Sequence, residues 1–61
     1  MQITTGKYNV VLTTPNHEVS AVLAVLDGAL AALEYMQTHF QENIDLIGPT
    51  GRFVSWRLLI G

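Results

Sequence analysis

Apolar residues recur through the middle of the chain at helical spacing. Val19, Val22, Leu26, Ala29, Leu33, Met36 and Phe40 follow one another at alternating steps of three and four, the separation that lines up side chains on one face of an α-helix. Leu23 and Leu30 widen this stripe on one side, and Val25 and Ala32 on the other. Ser20, Asp27, Glu34 and Gln41 form a narrow polar strip, and the remaining arc is small: Ala21, Ala24, Gly28 and Ala31, with Tyr35 behind them. The spacing predicts one long helix over 18–41, apolar or small on nearly every side, as befits a buried helix. Asp27-Gly28 opposes it, because the pair is a turn signal and glycine inside a helix costs about 1 kcal/mol relative to alanine. A helical hairpin broken at that pair is the alternative. The stripe keeps its phase across the pair, which favours the continuous helix.

The flanks alternate instead. Over Lys7–Thr13, Tyr8, Val10 and Leu12 point one way and Asn9, Val11 and Thr13 the other, the period of a strand. Met1–Thr5 is β-prone, and whether it forms a strand is left open. Thr14-Pro15-Asn16-His17-Glu18 reads as a helix start. Thr14 is the N-cap, Pro15 takes the first helical position, and Glu18 complements the helix dipole. Asn43, in the left-handed conformation, is the expected stop. Ile44–Gly48 is a short strand. Pro49-Thr50-Gly51 suits a three-residue hairpin loop, a type I turn followed by a left-handed glycine. Arg52–Ile60 is the last strand, with Leu46 opposite Val54 and Ile47 opposite Phe53.

The expected fold is α+β, a single small domain over 1–61 in the order β-α-β-β. One long helix packs on a three-stranded antiparallel sheet. The last strand, apolar on both faces, lies in the centre and turns Trp56 toward the helix. The far face then exposes Val11, Ile47, Phe53 and Leu59, and such a wet apolar face points to oligomerisation. The small stripe Ala21, Ala24, Gly28, Ala31 and Tyr35 is the second candidate oligomer contact, because small side chains let helices approach closely.

Composition sharpens this picture. A chain of 61 residues buries a modest fraction of its surface, and without cysteine it has no disulfide to staple it. Self-association is the staple left. A net charge of −2, with Lys7, Arg52 and Arg57 the only basic residues, argues against a nucleic-acid partner. The apolar run Val19–Leu33 contains Asp27 and falls short of the ~20 residues that span a bilayer. MQITTGKYN lacks the apolar segment of a secretory leader. A cytoplasmic protein with no membrane partner is expected.

Candidate chemistry is sparse. His39 and Glu42 have a spacing that could supply two metal ligands, but an ordinary exposed helix end explains them as well. No Ser/His/Asp set has a motif context, and neither cofactor, metal nor catalysis is expected. The expected strand directions bring TTPNH and GPTGR to one rim beside the helix start. There Thr13, Thr14, Asn16, His17, Thr50, Gly51 and Arg52 would offer N–H donors and a cation to a small anionic ligand. The leading expectation is a homo-oligomeric protein that acts by binding another protein, an adaptor or inhibitor of the kind phages and accessory genes encode. The alternative is a small anionic-ligand binder or modest enzyme, with its site on that rim or at a subunit junction.

Overall fold

The alternation of Tyr8, Val10 and Leu12 with Asn9, Val11 and Thr13 forms the first strand, β1 (Tyr8–Thr13), as the pattern predicts. The computed structural model describes residues 3–56. Within them the elements are β1, β2 (Val19–Leu26), α1 (Ala29–Thr38) and β3 (Ile44–Ile47). They make an α+β fold with one helix and a three-stranded antiparallel sheet in the order β2-β1-β3.

The long helix is therefore corrected. Its first half is a strand, and the turn signal at Asp27-Gly28 ends that strand and precedes α1. The helical spacing of Val19, Val22 and their neighbours has another cause. Opposite β1, Tyr8 pairs with Leu26, Asn9 with Val25 and Val10 with Ala24, but Val11 then pairs with Val22, Leu12 with Ala21 and Thr13 with Val19. Leu23 and Ser20 are thus extra residues, two β-bulges in an eight-residue strand. Each bulge adds one residue to a two-residue alternation, so β2 shows a face every third residue: Val19, Val22 and Val25 turn away from the helix. Leu23 packs with Ala24 and Leu26 toward the core. The Ser20 hydroxyl donates to the Leu12 carbonyl at 3.1 Å beside its bulge.

The supposed helix start is a hairpin loop. The Thr14 N–H donates to the Glu18 carbonyl at 2.8 Å and the His17 N–H to the Thr14 carbonyl at 2.9 Å. Pro15 occupies the second position of this type I turn, and His17 follows in the left-handed region with φ 62°. The Thr14 hydroxyl accepts the Glu18 N–H at 3.2 Å, a turn bond in place of a helix cap. The second loop repeats this geometry and agrees with the sequence expectation. Gly48 N–H donates to Arg52 O at 2.8 Å, Gly51 N–H to Gly48 O at 3.0 Å, and Gly51 has φ 83°. Ile47 bridges Phe53, and Val54 N–H donates to Leu46 O at 2.9 Å, the expected register.

The last strand is not the central one. β1 holds that place, and the described part of Arg52–Ile60 makes a single bridge; residues 57–60 lie outside the described residues. Backbone accounting shows why pairing stops. A continued ladder would give the Leu46 N–H to the Val54 carbonyl. That carbonyl instead accepts the Trp56 N–H at 2.8 Å. Asp45 Oδ1 takes the Leu46 N–H at 2.9 Å, and the indole Nε1–H of Trp56 donates to the same oxygen at 3.1 Å.

α1 is short and poorly capped. Gly28 offers no side-chain cap, and neither terminal turn carries a charge that complements the dipole. Ten residues of such a helix are marginal alone, so burial of Ala32 and Met36 holds it to the sheet. The core between helix and sheet is Val10, Ala32, Met36, Ile44, Leu46 and Trp56, and the expected burial of Trp56 is observed. Asn43 is not the helix stop. α1 ends at Thr38 with His39 as its C-cap, and His17 is the non-glycine residue with positive φ among the described residues.

Candidate functional site

Strand direction decides the proposed rim, and it separates the two loops. β3 runs antiparallel to β1, with Leu12 opposite Ile44 and Asn9 opposite Ile47. The 14–18 loop follows the last residue of β1, whereas the 48–52 loop lies beside its first residues, where Gly6 N–H donates to Pro49 O at 2.9 Å. Roughly 17 Å of strand lies between them, at ~3.4 Å per residue. Thr13, Thr14, Asn16 and His17 therefore sit at one end of the sheet, and Thr50, Gly51 and Arg52 at the other. The 14–18 loop leads into a strand and not a helix, and α1 starts after Leu26, at the Tyr8 end of the sheet. Thr13 is also consumed: it is buried, and both its N–H and its hydroxyl donate to Asn43 O, at 3.0 and 3.3 Å. Asn16, His17, Thr50, Gly51 and Arg52 are exposed.

The small stripe is likewise dispersed. Ala21 and Ala24 are on β2, with Ala24 packed against the core. Gly28 is the N-cap position of α1, Ala31 is exposed on α1, and Tyr35 is half-buried with its ring stacked on His39 at 4.2 Å. No single helix face joins the five. On the far face, Val11 and Ile47 are buried within the single chain, so they are not a wet surface awaiting a partner. Phe53 remains exposed, and Leu59 lies outside the described residues.

Part of that far face is closed by the chain's own N-terminal segment. Asn9 is fully buried there. Its Oδ1 accepts the Thr4 N–H at 2.9 Å, and its Nδ2 donates to the carbonyls of Thr4 at 2.9 Å and Lys7 at 3.0 Å. Three backbone groups of the 4–7 turn are thereby satisfied by one side chain. An alternating pattern marks Asn9 as outward-facing, but it carries no sign that the preceding residues fold back over it.

Among the described residues, the apolar side chains still exposed on this face stand at the two ends of one cross-strand row. Cross-strand pairing puts Val25, Asn9, Ile47 and Phe53 in one row across the far face. The middle of the row is buried and its two ends are open, with Val25 41% exposed at the edge of the sheet. β2 carries no charged residue from Val19 to Leu26. At its end Asp27 pairs with Lys7, and this ion pair lowers the Asp27 carboxyl below its ordinary range through the hydrogen bond first and the charge of Lys7 second. Leu30, 71% exposed on the outer side of α1, and Phe40 beyond its end add isolated apolar side chains.

Among the described residues no group of three or more His, Cys, Asp or Glu side chains is placed to hold a metal ion. No helix among them is long and apolar enough to cross a membrane. Comparison of the chain with protein-family models, curated proteins and solved structures finds no match. The class that the fold defines is thus a small α+β domain with two polar hairpin loops exposed at their tips.

Proposed function

We propose that the protein acts through protein–protein contact, self-association included, with the outer flank of β2 as its contact surface. One observation carries the reading. Among the described residues β2 lies at one end of the strand order, is uncharged over its eight residues and leaves the Val25 side chain 41% exposed. Edge strands in soluble proteins are usually guarded by charge or proline within the strand, and neither occurs here. The two bulges supply a different guard, because they twist the edge and leave only Ala24–Leu26 in regular register. A contact at this flank is therefore made by side chains, Val25 first among them. An adaptor or inhibitor is the form of binding protein that suits a domain of this size.

Sedimentation equilibrium at micromolar concentration tests the reading. The wild-type chain is expected to run as a dimer or larger. Val25→Lys, which puts a charge at the centre of the contact, is expected to shift it to monomer, whereas Glu34→Gln on the exposed side of α1 should leave the mass unchanged. A wild-type monomer, or association indifferent to Val25→Lys, would remove this surface from consideration.

A further inference from the structure

Asp27 and Gly28 join β2 to α1 in a bend in which Asp27 is exposed and Gly28 half-buried. We infer that Asp27 is a site of spontaneous main-chain rearrangement to isoaspartate, and that Lys7 restrains it. The step is a ring closure. The Gly28 amide nitrogen attacks Cγ of Asp27, the N–Cγ bond forms, and the carboxyl oxygen leaves with two protons as water. Water then opens the cyclic imide at either carbonyl. One opening restores aspartate; the other sends the main chain through Cβ and Cγ, with no net change in mass and no reactant but water.

The geometry favours closure at this bond. The Asp27 side chain is 87% exposed, so no packing keeps it from its own main chain once Lys7 lets go. Gly28 presents no Cβ to the approaching carboxyl, and a Cβ built there would meet nothing within 4 Å, so the surroundings are open. Among the described residues the Gly28 N–H donates no hydrogen bond, and attack breaks none. Asp45, the other aspartate, lacks these conditions. It is half-buried, is followed by Leu46 in a strand, and its Oδ1 already accepts two N–H groups.

Lys7 opposes the step. A carboxylate expels oxide poorly, so closure proceeds through the protonated carboxyl. The Lys7 ammonium, hydrogen-bonded to Asp27 Oδ1, favours the ionised form. It also occupies the oxygen and holds the carboxylate toward β1. Because the pair is exposed, salt weakens it. The product has consequences for the fold. One extra methylene enters the main chain one residue before α1, whose Ala32 and Met36 are seated in the core.

The test ages the intact chain in heavy-oxygen water at mildly acidic to neutral pH, then separates the aspartyl and isoaspartyl forms of the peptide containing Asp27. The expected result is heavy oxygen and isoaspartate at Asp27 well ahead of Asp45, a several-fold faster rate in Lys7→Ala, and a slower rate in Gly28→Ala. Added salt should accelerate the wild type and leave Lys7→Ala unchanged, which separates the ion pair from any loss of folding in the variant. Absence of label at Asp27 in Lys7→Ala, or equal rates with and without Lys7 at low salt, overturns the inference.

Discussion

Trp56→Ala is expected to leave the protein largely unfolded at room temperature. Trp56 is 5% exposed and belongs to the cluster that joins α1 to the sheet. Truncating a buried aromatic residue to alanine costs about 3–5 kcal/mol. A domain of this length has roughly 3–9 kcal/mol to lose on per-residue scaling. The indole has a second task, because its Nε1–H donates to Asp45 Oδ1, the oxygen that also holds the Leu46 N–H. Trp56→Phe separates the two tasks. It keeps an aromatic ring in the core and removes the donor, with an expected cost of about 1.5–3 kcal/mol for a hydrogen bond to a charged group. Urea unfolding monitored by circular dichroism checks both variants. Equal losses in Phe and Ala would show that the hydrogen bond, and not the packing, dominates. A wild-type indole that emits as in water and is freely quenched by iodide would contradict the burial itself.

Asn9→Leu is the second large effect. A leucine fits the volume but offers nothing to the Thr4 N–H, the Thr4 carbonyl or the Lys7 carbonyl. Each buried polar group left unpaired costs about 1–3 kcal/mol. The 4–7 turn is exposed, so it can escape part of that cost by peeling away into water, at the expense of the cover it gives to the far face. The expected outcome is a loss of about 2 kcal/mol or more in urea unfolding, again on the scale of unpaired buried groups, together with faster amide exchange at Thr4 and Gly6. Asn9→Asp keeps the acceptor, loses both donors and buries a charge, so it should be no better than leucine at neutral pH. Unchanged exchange at Thr4 in either variant would show that Asn9 does not hold the turn.

The two hairpin loops show what was legible in the sequence. Thr14-Pro15-Asn16-His17-Glu18 and Gly48-Pro49-Thr50-Gly51-Arg52 have the same hydrogen bonds and the same left-handed third loop residue. Gly51 advertises that conformation, because glycine enters it without a steric penalty. His17 does not, and with Pro15 at the front the segment reads equally well as a helix cap. Once that loop is taken for a helix start, β2 has nowhere to go. Val19, Val22 and Val25 are β-branched, a strand signal in their own right, but the bulges space them as a helix would. The strand β1, the register of the second loop, the C-terminal half of the helix and the burial of Trp56 were all readable from local pattern. The candidate rim was not, because it depended on the direction of β3 relative to β1, and no local pattern fixes that. The burial of Val11 and Ile47 was equally hidden, since an alternating pattern does not say whether the second face of a sheet is covered.

The paired bulges of β2 have a further consequence. An alternating strand is a message read two letters at a time, and one added letter inverts everything beyond it. Leu23 and Ser20 are two such additions. Residues 24–26 and Val19 consequently keep the faces of an uninterrupted strand, and only Ala21 and Val22, enclosed between the additions, are inverted. The second bulge stands to the first as a suppressor stands to a frameshift: either alone would turn the rest of the hairpin inside out, and together they confine the error to two residues.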